Sequence, residues 1–567
     1  MAENQDVNLK EEIKSIFTDY VRISSYTNTV GERLVEPFLT SWFSRQNYFK
    51  ERPDQWGCHS IENDPLGRHV VWGMVRGSGE DTVVMIHHFD VVEINDFETA
   101  KPFALDIGKI NTKIRSMLHK FDPESIRDLD SGKWQFGRGG ADMKAGGAIQ
   151  LALLEHYSRQ SDLMGNLIVV CLPDEENLSA GMRSAIGLLA GLKRQFSLNY
   201  LLMVNSEPHQ GTDPETVVLY EGTVGKLLPV VYARGSLAHV GRIYEGLNPL
   251  HLMSELVIRT ELEMALSDRI EHEVTPPPSW LFFKDTKTHY DVSIPTSVQA
   301  YMSVLTLKTN AGEFLKTLRT KAEQAFETVL HRMNRSYGQY LEATGESQKI
   351  LPWSVNVKTF AEIYREAVDR SGERFTNLYQ EKLEQIADAV AQGRQGLPQS
   401  SFELIAFCLE YIGDKQPLIV IGLSPPYYPD VSNYRIPHLD QQIRRLLDHI
   451  PSFCRQKFDL SCRMTKFFTG ISDLSYSYLD DSAGLNRAVA DNMPLWGKVY
   501  DIPFGHIREI RMPCINIGPW GKDFHKLTER VLIEDVYYRT PRLLRFVIDQ
   551  LLQTSTLKGC ICCLDSD

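Results

Sequence analysis

Three runs, "TVVMIHH", "NLIVVCL" and "YLLMVN", are apolar at consecutive rather than alternate positions. A strand of that kind must be covered on both faces, which happens when helices cross over a largely parallel sheet. Helical periods stand between the runs, as in "GGAIQLALLEHYS" and "SAGMRSAIGLLAGL". The strand–helix alternation from about residue 8 to 224 therefore predicts an α/β layer with a mostly parallel sheet.

After "EGTVGKLLPVVYARG" the rhythm changes. A strand, the helix "NPLHLMSELVIRTELEM", two strands around "YDVSIPTSVQAYMSVLTL", the helix "AGEFLKTLRTKAEQAFETVLHRM" and the strand "QPLIVIGL" predict a smaller α+β unit over 225–435. A charged helical stretch at about 336–410 carries no strand signal and reads as an insertion. Residues 436–567 return to the first style, with a helix at "IPHLDQQIRRLLDHI", strands at "MTKFFTGISD" and "MPCINIGP", and a helix at "EDVYYRTPRLLRFVIDQLLQ". One domain of 1–224 and 436–567, interrupted by a smaller one, explains this order better than three independent domains. At 567 residues the chain is too long for one ordinary core.

Composition narrows the partners. The net charge of −12 lacks the concentrated basic face that nucleic acid or an anionic membrane would require. The start, "MAENQDVNLKEEIKSIFTDYV", has the pattern of an acidic amphipathic helix, not of a signal peptide, and no apolar run reaches the roughly 18–20 residues of a membrane span. Nine scattered cysteines read as reduced thiols of a cytoplasmic protein. Cys560, Cys562 and Cys563 in the tail could bind metal, but no second Cys/His cluster lies near them in sequence, so an incidental tail is the expectation.

Reactive groups of α/β sheets collect where strands end. "TVVMIHHFDVV" carries His88 and Asp90 two positions apart, a spacing that puts both on one face and lets the acid orient the imidazole. "FGRGGADMKAGGA" places Asp142 in a glycine-rich turn opening a helix. Glu175 and Glu176 follow "LIVVCLPD", Glu207 lies in "VNSEPHQ", and His525 in "GPWGKDFHKLTER". Singly these signals are weak: a strand histidine is more often a core residue, and an acidic pair is more often a solvated helix start. Jointly, two His, two Glu and one Asp suit two divalent zinc-like ions about 3.5–4 Å apart sharing one carboxylate.

The ordered set "HHFDVV", "GRGGADMKAGG", "PDEEN", "SEP" and "GKDFHKLTE" resembles peptidase family M-20, a family of dinuclear-zinc metallopeptidases and deacylases. "RISSYTNTVGE", "FFTGISDLSY" and the long insertion are similar to its arginine-utilisation protein RocB group. The resemblance implies a zinc-peptidase catalytic domain interrupted by a lid or dimerisation domain. It implies two divalent ions, zinc or else cobalt or manganese. His88 and Glu207 would hold one, Glu176 and His525 the other, and Asp142 would bridge them. Asp90 would orient His88, and Glu175 would be the general base. "YARGSLAHVGRIYEGLNPL" is similar to the family's G-x-x-A-H pattern, making His239 the candidate oxyanion donor, with Asn248 and Arg242 as candidate substrate contacts.

Glu93 stands where the family usually has proline, and Ala145 interrupts "DMKGG". The 52 residues from Asp90 to Asp142 exceed the family's common spacing, so "IGKINTKIRSMLHKFDPESIRDLDSG" is expected to border the site. The expected activity is hydrolysis of an amide C–N bond in a small peptide or N-acyl amino acid, in arginine or amino-acid catabolism, with a homodimer as a candidate assembly. The alternatives are a non-catalytic binding protein of the same fold and an aminopeptidase-type enzyme, which would need an acidic site for a free amino terminus.

Overall fold

The computed structural model describes residues 2–479 and 485–552. The chain divides into two compact units, one of Met1–Thr223, Val431–Asp480 and Pro503–Asp567, the other of Val224–Asp430 and Asp481–Ile502. The second unit thus takes a segment that the sequence reading gave to the first: Leu495 joins the second unit's core, and the Tyr379 hydroxyl donates to the Pro494 carbonyl at 2.9 Å. The tail cysteines Cys560, Cys562 and Cys563 lie outside the described residues.

The first unit is built on an eight-stranded sheet of β1 (Trp56–Ser60), β2 (His69–Arg76), β3 (Asp81–His88), β4 (Asn166–Leu172), β5 (Asn199–Asn205), β6 (Thr216–Tyr220), β7 (Ser461–Thr465) and β8 (Cys514–Asn516). Their order is β1-β2-β4-β3-β5-β8-β6-β7. The central strands β4, β3, β5 and β8 run parallel, as consecutive apolar residues required. Val83, Met85, Leu167 and Val169 enter one large core with helices Ala2–Val21, Ala145–Ser158, Gln441–Phe458 and Thr540–Leu552. The alternate residues Val84, Ile86, Ile168 and Val170 are fully buried on the opposite face. Helix Ala180–Phe196 packs against β2 and β4 outside that core.

Two strands of this unit are shorter than their apolar runs predict. The strand expected at "MTKFFTGISD" ends at Thr465, and the remainder forms a loop with a short helical turn, Asp473–Tyr476. β3 ends at His88, so Asp90 lies beyond the strand and the same-face argument does not apply to it.

The second unit has a five-strand path in the order Ser279–Asp285, Ser297–Thr306, Pro229–Arg234, Leu418–Leu423 and Val357–Thr359. Strand Ser279–Asp285 replaces the one expected near "YDVSIP". The stretch read as a strandless insertion contains Val357–Thr359, which pairs parallel with Leu418–Leu423. Three residues are too few to show a period-two pattern. Helices Phe360–Ala391 and Leu397–Tyr411 then bury Phe375, Tyr379, Phe402 and Ile405 in a core with Val230 and Tyr232.

Candidate metal centre

Every candidate ligand comes from the first unit, at the carboxyl ends of its central strands or in loops beside them. His88 closes β3, Glu175 and Glu176 follow β4, and Glu207 follows β5. Asp142 enters from the turn Gly140–Lys144 ahead of helix Ala145–Ser158. That helix reaches the strand ends because Gly146 has no side chain, since a Cβ there would collide with the Ser206 carbonyl.

Asp142 organises the cluster. Its Oδ1 lies 3.1 Å from His88 Nε2 and its Oδ2 lies 3.2 Å from His525 Nε2. Glu207 Oε1 stands 3.4 Å from His88 Nε2, and Glu176 Oε1 stands 2.8 Å from His525 Nε2. Glu175 Oε2 is 3.9 Å from His88 Nε2. Two triads, His88–Asp142–Glu176 and His88–Glu175–Glu207, offer ligand atoms all within 4.8 Å of one another.

Without a cation the site is overloaded with buried negative charge. Burial pushes the Glu175 carboxyl well up, and Glu207, Asp473 and Glu176 add repulsion. Burial likewise raises Glu207 to about 7 and raises Glu176, in both cases with Asp142 adding repulsion. Burial opposes a charged His88, yet the Glu207 carboxylate and hydrogen bonds to Asp142 and Asp90 leave its pKa well raised. Hydrogen bonds to Asp142 and Glu176 lift His525 to about 10. Burial alone would raise Asp142, but hydrogen bonds from both histidines hold it far below the usual carboxylate range. Paired histidines and crowded acids of this kind are the donor set of a divalent-cation site.

Asp90 does more than orient a histidine. His88 Nδ1 donates to the Asp90 backbone carbonyl at 3.1 Å, while the Asp90 carboxylate is 3.6 Å away. That carboxylate instead accepts the backbone amides of Glu175 at 3.0 Å and Glu176 at 3.2 Å, plus the Thr27 hydroxyl at 2.9 Å.

Further residues support the site without having shown themselves in the sequence. Glu529 Oε1 accepts the amides of Ala141 at 3.3 Å and Asp142 at 3.4 Å, while Arg138 Nη1 holds its other oxygen at 2.7 Å. Its effect on Asp142 spans 387 positions, and no local pattern announces such a contact. Asp473 is buried on the turn after β7, where burial raises its carboxyl to about 7 against a lowering hydrogen bond with Ser179. The segment expected to border the site supplies Asp128, which takes Arg530 Nε at 2.7 Å and Lys522 Nζ at 2.9 Å. It therefore braces the loop that carries His525.

His239, Arg242 and Asn248 belong to the second unit. The His239 side chain accepts from the Gly241 amide at 3.0 Å, Arg242 faces Glu245 at 3.4 Å, and Asn248 caps helix Pro249–Thr260 through the Leu250 amide at 3.0 Å. None of the three is among the residues that the strand ends gather.

A mostly parallel α/β sheet with opposed histidines around one shared carboxylate defines a metal-dependent hydrolase of the metallopeptidase class. The chain belongs to peptidase family M20/M25/M40, whose sequence profile matches residues 84–382. It is 32% identical to the uncharacterized protein YqjN of Bacillus subtilis (strain 168) over 97% of this chain and 98% of that one. It is 30% identical to Protein RocB of the same organism, covering 97% and 96% of the two chains. Its fold is similar to that of aminopeptidase PepT from Bacillus cereus, with a TM-score of 0.50 at 13% identity over 96% of this chain and 98% of that one.

Proposed function

We propose that the chain hydrolyses an amide C–N bond in a small peptide or N-acyl amino acid, using two divalent ions. The observation that carries this reading is the division of Asp142 between the two histidines, Oδ1 toward His88 and Oδ2 toward His525. The buried acids fit such ions, because Glu175, Glu176 and Glu207 are all raised by burial in a site that lacks enough positive charge. His88 and Glu207 would hold one ion, Glu176 and His525 the other, with Asp142 between them. Zinc is the first candidate, followed by cobalt and manganese.

When bound, the ions supply positive charge that lowers the pKa of an attacking water and polarises the carbonyl. Glu175 accepts the proton released as the C–O bond forms and passes it to the nitrogen as the C–N bond breaks. The Asp90 carboxylate keeps the backbone of Glu175 and Glu176 fixed, so adjacent acids can serve separate roles. His239 remains the candidate donor to the developing oxyanion, and Asn248 and Arg242 the candidate substrate contacts, on the family likeness. A place in amino-acid catabolism, with arginine metabolism as one candidate, rests on the likeness to RocB.

The test pairs metal analysis with a hydrolysis screen of dipeptides and N-acyl amino acids supplemented with zinc, cobalt or manganese. Glu175→Gln should keep its metal and lose about 10²–10⁴-fold in kcat. Full activity without divalent metal would overturn the reading.

A further inference from the structure

We infer that residues 25–32, the "SYTNTVGE" segment ahead of the sheet, are a built part of the metal centre, with Thr27 as a positioning residue for Glu175 and Glu176. The inference rests on the divalent-metal reading above and concerns what holds the two glutamates in place.

The segment first fastens itself to the chain just past β3. Val91 N donates to the Ser25 carbonyl and Thr27 N to the Val91 carbonyl, both at 2.9 Å, and Ser25 Oγ donates to the Phe89 carbonyl at 2.6 Å. This registers Thr27 against Asp90. Its hydroxyl donates to Asp90 Oδ2, the oxygen that also accepts the Glu176 amide, leaving Oδ1 for the Glu175 amide. An ionised carboxylate only accepts, and it can rotate among several donors. A third fixed donor holds the plane of the carboxylate so that each oxygen keeps facing one glutamate amide.

The same segment grips the other side of the turn. Glu32 Oε1 accepts the Asn28 amide at 2.7 Å and Arg68 Nη1 at 2.9 Å. That guanidinium nitrogen also donates to Asp174 Oδ1 at 2.6 Å, directly before the glutamate pair. Asp174 needs holding, because it sits at φ 69°, in the left-handed region that a non-glycine residue seldom adopts. Glu32 and Asp174 are both buried with Arg68, so neither contact is a surface pairing. One short segment thus reaches the "PDEEN" turn by two separate routes, through Thr27 and Asp90 and through Glu32 and Arg68.

Residues that orient ligands from behind are worth about 10–100-fold in metal affinity or activity. The experiment measures zinc affinity of the full chain by chelator competition, and the cobalt absorption spectrum, for the wild type, Thr27→Val and Thr27→Ser, with a thermal melt of each. Valine keeps the shape and removes the hydroxyl, while serine restores it. The expected result is zinc binding weakened about 10-fold or more in Thr27→Val with an altered cobalt spectrum. Thr27→Ser should stay close to the wild type, and the melts should remain similar. If Thr27→Val does not fold, Thr27→Ala replaces it in the same comparison. Unchanged affinity and spectrum on loss of the hydroxyl overturn the inference, as does a Thr27→Ser variant that falls as far as Thr27→Val. A wild-type protein that takes up no divalent ion removes the metal reading itself, whereas one that binds zinc regardless of Thr27 removes this inference alone.

Discussion

The two histidines that face Asp142 are held in opposite ways. His88 ends a central strand with its side chain 1% exposed, whereas His525 stands in a loop at φ 63° with its side chain 47% exposed. The strand fixes His88 through its register with β4, where it pairs with Leu172, and through the pairing of β3 with β5 up to Ile86. The loop has no such ladder at His525. It is held by Arg530, which is buried between Asp128 and Asp523, and by Lys522 on Asp128. One half of the site is therefore made by sheet geometry and the other by a charge network drawn from distant parts of the chain. Loss of function should therefore carry a smaller loss of stability at His525 than at His88.

Replacing the two histidines gives the largest contrast. Both His88→Ala and His525→Ala should lower kcat/KM by roughly 10³-fold or more, since each removes a proposed ligand. His88→Ala should destabilise the fold more, because it strips the counter-charge from buried Asp142 and Glu207, a loss of about 3–5 kcal/mol. His525→Ala, at a half-exposed position, should lower the melting temperature by less than His88→Ala does. Equal losses of melting temperature would break the comparison.

Asp128→Asn comes next. It should weaken metal uptake by about 10–100-fold through the His525 loop, without contact to any ligand. Equilibrium dialysis with zinc measures it, and unchanged uptake would mean that the loop is held by other means.

The smallest effect is the pH dependence of the metal-free protein. His525 has a folded pKa of about 10 against an ordinary 6.5, raised by its hydrogen bonds to Asp142 and Glu176. A histidine with a raised pKa contributes stability that is complete below about 6.5 and is lost as pH rises toward 10. Thermal melts between pH 6 and 10.5 should therefore fall more steeply for the metal-free wild type than for metal-free His525→Ala. Parallel curves would show that this pairing contributes nothing to the fold.

The candidate site residues were legible in the sequence because they stand beside features with a local pattern. His88, Glu175, Glu176 and Glu207 follow runs of consecutive apolar residues, and Asp142 lies among glycines. The orienting part given to Asp90 was read only partly, since its carbonyl rather than its carboxylate is the nearer acceptor for His88. Thr27, Asp128, Asp473 and Glu529 could not be picked out. Thr27 lies 63 positions from Asp90, and Asp128 lies 402 from Arg530. A threonine or an acid in a loop has no neighbours in sequence that betray such a partner.

The sequence alone determined the parallel sheet, because strands apolar on both faces can be satisfied only under helices on both sides. It also determined which residue types crowd the strand ends. The tertiary structure decided how those residues are oriented, that the two Asp142 oxygens meet different histidines, and that residues 25–32 grip the glutamate turn. Hydrophobic periodicity is carried by neighbours along the chain, whereas the direction of a carboxylate depends on donors brought to it from elsewhere in the fold.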